Sequence, residues 1–218
     1  MIGKWHLGFE GGDKFQYDKP LRGGPVDNGF DYFFGIHAST DIPPYFYVEN
    51  DRVTAAPTNT IPAQNTEGWT KIQGEFWRAG LVGSDFKMYD VLPNFTRRAV
   101  KRINEHKGRN PFFLYVALPA PHTPWVPTKQ WAGKSAVKLY GDFVMQVDDT
   151  LGQITKALAD RKLDEDTIVF FTSDNGPVWY PADVERLGHS STKNWRGMKG
   201  DAFEGGHRMP FIARWPGK

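Results

Sequence analysis

An α/β fold is the class this sequence predicts, and three observations predict it. Two short apolar runs, residues 111–118 and 167–172, have the length and the aromatic or β-branched content of strands buried on both faces. Two longer segments, residues 90–106 and 139–163, repeat apolar side chains at three- and four-residue steps, the spacing of one helix face. Their order along the chain is helix, strand, helix, strand. That order calls for a mostly parallel central sheet flanked by helices.

Taken from the amino end, residues 8–44 are rich in Gly, Pro and Asp and read as loop with short turns. Tyr45-Phe46-Tyr47-Val48, the polar Glu49-Asn50-Asp51 and then Arg52-Val53-Thr54 predict a hairpin. Residues 55–85 again read as loop. In the first helical segment Val91, Phe95, Val100 and Ile103 mark the apolar face. Pro93 falls in the first turn, where its missing N–H costs nothing, and Lys107-Gly108 is the stop. In the second, Leu139, Phe143, Val147, Leu151, Ile154 and Leu158 form the stripe. The chain closes on Phe211-Ile212-Ala213-Arg214, a strand running into Trp215-Pro216-Gly217.

Composition narrows the class of protein. The 218 residues are 39% hydrophobic and 24% charged, the balance of a globular chain with a packed core. No run of about 18 apolar residues occurs, so no membrane segment is expected. A net charge of +2 is too mild to point to nucleic acid. From Arg186 to Lys218, however, seven Lys/Arg stand against two Asp/Glu, a weak sign of an anion-facing segment. The absence of Cys excludes disulfides and thiolate metal sites. Met1 is followed at once by Gly3, Lys4 and His6 and not by an apolar leader. A dense opening string and a closing strand predict that the chain is an interior piece of a longer protein.

Polar signatures follow both predicted buried strands, where open α/β sheets collect their chemistry. After the first comes Pro119-Ala120-Pro121-His122-Thr123-Pro124, which stiffens His122 for proton transfer or anion binding. After the second comes Ser173-Asp174-Asn175-Gly176-Pro177. Asp174 and Asn175 offer hard oxygen ligands, while the same tract also suits a plain turn. At the amino end Lys4 and His6 stand two residues apart and share one face if the segment is extended. Residues 194–210 place Lys199 among glycines that let backbone approach a ligand; the alternative is a solvated basic loop. His106 reads as structural near a helix end. His37 and His189 are loop residues able to line a pocket, and His207 reads as a surface or packing residue.

The order of these motifs carries more than any one of them. Gly3-Lys4-Trp5-His6-Leu7-Gly8, then His122-Thr123-Pro124, then Ser173-Asp174-Asn175-Gly176-Pro177, then Lys199-Gly200 with Glu204-Gly205-Gly206, Arg208 and Pro210, resembles the type I sulfatase family of the alkaline-phosphatase superfamily. The resemblance spans Gly3 to Gly217 and implies hydrolysis of sulfate monoesters, arylsulfatase-like and directed at sulfated small molecules or glycans. It implies that Lys4 contacts the nucleophile and the sulfate, and that His6 helps eject sulfate from the covalent intermediate. By the same resemblance His122 binds sulfate and assists the leaving oxygen, and Lys199 holds a sulfate oxygen. Ser39 falls near a sulfate-contacting serine, on a looser alignment. Asp174 and Asn175 resemble two ligands of Ca²⁺, with Mg²⁺ as the alternative metal.

The family's nucleophile is a formylglycine made from Cys or Ser in a Cys/Ser-x-Pro-x-Arg motif, and this sequence holds no such motif. The resemblance places that motif and a pair of metal-binding aspartates upstream. Residues 1–218 are then part of the amino-terminal catalytic domain, without its first strands and without the smaller carboxyl-terminal subdomain. The 218 residues alone are expected to be inactive. A periplasmic, extracellular or lysosomal location follows only from the family. Two other readings stand beside this one: a phosphoryl or phosphonate hydrolase of the same superfamily, and a non-catalytic anion-binding chain.

Overall fold

The periodic segments and apolar runs assemble into two units, Met1–Ile154 and Thr155–Lys218. The computed structural model describes residues 1–12, 14–69, 72–108 and 110–218. Among them no helix is long and apolar enough to cross a membrane.

The first unit is built on a five-stranded sheet. Its strands are β1 (Ile2–Lys4), β2 (Phe34–Ile36), β3 (Tyr47–Glu49), β4 (Arg52–Val53) and β7 (Val116–Ala117), in the order β4-β3-β2-β1-β7. Both neighbours of β1 run parallel to it, with Gly3 opposite Gly35 on one side and Ala117 on the other. The β3–β4 hairpin adds antiparallel pairing, so the sheet is mixed. The predicted hairpin is therefore present, with Asn50 and Asp51 at its turn. Asn50 adopts φ 58°, a left-handed conformation that Asn tolerates better than most residues.

Alternation along the strands feeds apolar side chains to both faces of this sheet. One face presents Phe33, Phe46 and Val48, which cluster with Met1, Phe9 and Leu21. On the other, Phe34 stacks on Tyr47 at 5.3 Å and meets Phe95 edge-on at 6.1 Å. Phe95 comes from α1 (Val91–Glu105), which packs on β1 and β2 through Val91, Leu92, Phe95, Ala99 and Ile103. Each fully buried side chain of this size contributes roughly 1.5–3 kcal/mol. α2 (Lys138–Asp160) follows as its periodicity predicts. Its Thr150 hydroxyl lies 3.0 Å from that of Thr96 on α1, so two buried hydroxyls satisfy each other between the helices.

Three expectations are corrected in this unit. Residues 8–44 contain β2, because Phe33 and Phe34 each bury one face of a strand inside an otherwise turn-rich tract. Residues 55–85 contain a second antiparallel pair, β5 (Asn59–Ile61) with β6 (Gly80–Val82). Residues 111–118 do not form a strand buried on both faces. Only Val116–Ala117 pairs, at the end of the strand order, and Phe113 is 79% exposed.

The second unit holds β8 (Val169–Thr172) paired antiparallel with β9 (Phe211–Arg214), together with α3 (Pro181–Leu187) and the single turn α4 (Glu204–His207). The closing strand is where the sequence places it. Residues 167–172 are corrected in burial: β8 alternates half-buried and exposed positions, and Phe170 is 57% exposed. A two-stranded ribbon has no second layer of strands to enclose its faces.

Candidate active site

Three segments leave the first unit's sheet at the carboxyl ends of three adjacent parallel strands. Lys4 ends β1, His37-Ala38-Ser39 follows β2, and the loop bearing His122 follows β7. This is the edge at which open α/β sheets present ligand-binding residues. β1 can lie this close to β7 only because residue 3 is glycine. Gly3 has φ 122°, and a Cβ there would sit 1.9 Å from the Ala117 carbonyl oxygen.

The structure brings Lys4 and Ser39 together. Lys4 Nζ donates to Ser39 Oγ at 3.4 Å across 35 residues of sequence. An ammonium has no lone pair, so the hydroxyl is the acceptor and its own O–H remains available to donate. Ser39 is buried and Lys4 half-buried. A cation and a hydroxyl donor side by side, only partly solvated, form a cradle for an oxyanion.

His6 is placed differently from the extended-segment expectation. β1 stops at Lys4, and His6 adopts φ 59°, so strand alternation does not carry Lys4 and His6 to a common face. Its backbone N–H donates to the His37 carbonyl at 3.0 Å, which ties the segment after β1 to the segment after β2. His6 is exposed. His37 stacks on Phe46 at 4.9 Å, and its Nε2–H donates to the Pro44 carbonyl at 2.7 Å.

His122 is held by its own loop. Nδ1–H donates to the Thr123 carbonyl at 2.7 Å, because a carbonyl can only accept. That contact orients the ring. Beneath the loop, buried Trp125 donates its indole N–H to the Pro121 carbonyl at 2.9 Å.

The second unit holds Asp174, Asn175 and Lys199, and the backbone brings them together. The Gly176 N–H donates to the Gly206 carbonyl at 2.8 Å, and the Lys199 N–H donates to the Pro177 carbonyl at 2.9 Å. A Cβ on Gly176 would lie 1.9 Å from the Gly205 carbonyl oxygen, so glycine is required at this crossing. The loop of residues 194–210 is thus pinned by main-chain bonds to the tract that bears the proposed metal ligands. Most of its side chains nevertheless stay exposed, so it is an anchored loop with a solvated outer face. Asn175 Nδ2 donates to the Gly176 carbonyl at 2.9 Å, so its amide nitrogen is engaged and its amide oxygen is the acceptor end.

Several cations of this segment are already engaged. Arg186 pairs with buried Asp183 at 2.8 Å, Arg208 with Glu204 at 3.1 Å, and Arg214 lies 3.9 Å from Asp164. Arg196 stacks on Phe203 and Arg208 on Trp195. Three of the segment's seven cations are thus paired with carboxylates, and among the others the resemblance singles out Lys199. His106 packs on Phe112, His189 meets Trp179 edge-on, and His207 Nε2 donates to the Ala202 carbonyl.

The sequence as a whole matches the family model described as Sulfatase over residues 1–218. The chain belongs to the sulfatase family. Among its relatives is the N-acetylgalactosamine-6-O-sulfatase of Bacteroides thetaiotaomicron, 34% identical over all of this chain and 49% of that protein. The N-acetylgalactosamine-6-sulfatase of Mus musculus is 34% identical over all of this chain and 37% of its own length. The human arylsulfatase G is 31% identical and covered to 42%. A solved sulfatase structure from work on glycosaminoglycan metabolism by Bacteroides thetaiotaomicron superposes with a TM-score of 0.80 at 32% identity, covering 99% of this chain and 52% of that one. The PsFucS1 sulfatase of Pseudoalteromonas superposes with a TM-score of 0.70 at 26% identity, covering 99% of this chain and 42% of that one. The chain spans about half the length of the first of these sulfatases and less of the other curated relatives.

One feature of the first unit had no signal in the sequence. Asp41, two residues beyond Ser39, is buried and pairs with Arg78. The two are 37 residues apart, and the tract between them shows no pattern that would join them.

Proposed function

We propose that this sulfatase-family protein hydrolyses sulfate monoesters of carbohydrates. The observation that carries the reading is the Lys4–Ser39 contact, set at the carboxyl end of parallel strands. A sulfate monoester presents oxygens that gain charge as the S–O bond to the sugar breaks. Lys4 and Ser39 supply donors fixed before the charge develops, which is where preorganised hydrogen bonds act most strongly. His122, its ring oriented through Nδ1, supplies the proton that the departing alcohol needs. Lys199 supplies a further cation for a sulfuryl oxygen, and His6 assists release of sulfate. The family's formylglycine supplies the attacking oxygen when present.

The metal is the second part of the proposal. The family uses one, and Asp174 and Asn175 fit two of its ligands: both offer oxygen donors, and the Asn175 amide nitrogen is occupied by the Gly176 carbonyl. Among the described residues no group of three or more His, Cys, Asp or Glu could hold an ion, so the two are part of a ligand set and not the whole of it. Hard oxygen ligation favours Ca²⁺, which would polarise the sulfuryl oxygens.

The relatives named for 6-sulfated N-acetylgalactosamine make that sugar the substrate to test first. The full-length protein, expressed with a formylglycine-generating enzyme, is expected to release sulfate from it. Lys4→Ala is expected to slow that release roughly 100- to 1,000-fold, the scale of one lost oxyanion donor. Release of phosphate from the 6-phosphorylated sugar, with no sulfate from the sulfated one, would replace this reading with the phosphoryl one. Release of neither, from a folded and modified protein, would leave an anion-binding chain without catalysis.

A further inference from the structure

We propose that Arg78, held by buried Asp41, forms a subsite for a second anionic group on the same glycan. This rests on the sulfate-ester reading above and adds to it which sugars are preferred.

Asp41 and Ser39 share one tight turn, in which the Ile42 N–H donates to the Ser39 carbonyl at 3.0 Å. Two residues of chain span at most about 7 Å. Asp41, which holds the Arg78 guanidinium, is therefore rooted within about 7 Å of Ser39 along the backbone. Arg78 is fixed there three times over. Its Nη1 donates to a carboxylate oxygen of Asp41 and, at 3.0 Å, to the Asp41 carbonyl. Its backbone N–H donates to the same carbonyl at 3.3 Å. Its guanidinium lies 5.3 Å from the Phe76 ring centroid. The turn is itself braced by the Tyr45 hydroxyl, which touches the Asp41 and Arg78 carbonyls at 3.2 and 2.6 Å.

A surface ion pair held for stability alone does not look like this. Asp41 is only 5% exposed, and its second carboxylate oxygen, Oδ1, is buried without a hydrogen-bond partner among the described residues. Leaving such an oxygen unpaired costs stability. The arrangement is tolerated where a rigid guanidinium is the gain. All of Arg78's fixed contacts run through Nη1 and the backbone. Its side chain stays half exposed, and among the described residues Nε and Nη2 have no partner. Those two N–H groups form the side-on fork that matches a carboxylate or a sulfate with two parallel hydrogen bonds. The ligand class is therefore an anionic oxygen pair, supplied either by a uronic acid carboxylate or by a second sulfate.

The test uses the full-length protein and three probes. One is 6-sulfated N-acetylgalactosamine, one is the same sugar joined to a uronic acid, and one is the same sugar bearing a second sulfate. The quantity read is the ratio of kcat/KM for each doubly charged probe to that for the singly charged one. Arg78→Ala is expected to lower that ratio about 10- to 100-fold, through KM, the range of a charged hydrogen-bond pair. Arg78→Lys keeps the charge but not the fork and is expected to recover only part of it. Asp41→Asn, which releases the guanidinium, is expected to lower the ratio in the same direction. A fall with the uronic acid probe alone assigns the carboxylate, and a fall with the disulfated probe alone assigns the sulfate. An unchanged ratio for both Arg78 variants, with their melting temperatures retained, overturns the proposal. Should the wild-type protein release no sulfate from any probe, the sulfate-ester reading fails instead. Calorimetric titration with the disulfated and monosulfated sugars then reads the same ratio as binding constants.

Discussion

The two units hold their polar residues by different means. In the first, side chain meets side chain: Lys4 on Ser39 and Arg78 on Asp41, each reaching across more than thirty residues in front of a sheet covered on both faces. In the second, main chain meets main chain: Gly176 on Gly206 and Lys199 on Pro177, beside a two-stranded ribbon whose Phe170, Phe211 and Ile212 are all more than half exposed. The difference teaches where each half is vulnerable. The first unit can lose one polar contact and keep its sheet. The second depends on glycine backbones that cross within van der Waals contact, with little apolar burial behind them.

The sharpest way to break this comparison is to add one methyl group at each crossing. Gly176→Ala puts a Cβ against the Gly205 carbonyl, and Gly3→Ala puts one against the Ala117 carbonyl at φ 122°. Both are expected to cost roughly 3 kcal/mol or more, at the severe end of single substitutions. Gly176→Ala should expose the second unit alone to limited proteolysis, with α1 and its sheet still protected. Gly3→Ala should lower the main melting transition. Proteolysis of both units together in Gly176→Ala would show that they do not differ as argued.

Alkaline pH sharpens the contrast more gently. Burial pushes the Tyr45 and Tyr47 phenols well above their ordinary value, and burial with the Glu75 contact pushes Tyr89 up to about 12. All three lie in the first unit. The unfolded chain therefore loses these protons first, near pH 10, while the folded chain still holds them. Their contribution is fully present below pH 10 and is lost as pH rises through 10 to 12. The melting temperature of the first unit should fall over that window, with the phenolates of Tyr45 and Tyr47 appearing only as it unfolds. Phenolate signal at pH 10.5 from all tyrosines of the folded chain would contradict the burial on which the first unit is built.

The smallest expected effect lies on α2. Lys156 and Asp160 form an exposed i,i+4 pair at 2.7 Å. Lys156→Ala is expected to change stability by less than about 0.5 kcal/mol in thermal melts, because solvent screens the pair and two long side chains must be ordered to form it. A loss as large as that of the glycine substitutions would mean that exposed pairs matter in this protein as much as crossings of backbone.

Much of the fold was legible in the sequence, element by element. α1 and α2 were readable because a 3.6-residue period is written locally, in Val91, Phe95 and Ile103 and in Phe143, Val147 and Leu158. The β3–β4 hairpin was readable from its polar turn. The strand β2 was not, since three residues between Gly/Asp-rich stretches carry no period. Residues 111–118 and 167–172 were read correctly as strand-bearing but not in their burial, because what covers a strand is supplied by residues far away in sequence. The same limit applies to the site. Lys4, His122, Asp174, Asn175 and Lys199 stand in motifs with a recognisable order, and Ser39 was reached only by a looser alignment, so the sequence named each as a candidate.

What the sequence determined by itself was therefore everything with a short range: helix faces, turns, the motif tracts and, through their order, the family. What only the tertiary structure decided was which of those residues touch. Lys4 meets Ser39 because β1 and β2 run parallel and end together. His6 leaves the strand because its backbone turns to φ 59°. Asp41 binds Arg78 because the loop after β2 folds against the approach to β6. Contacts of this kind arise from loop closure and packing over tens of residues. No local period or spacing records them.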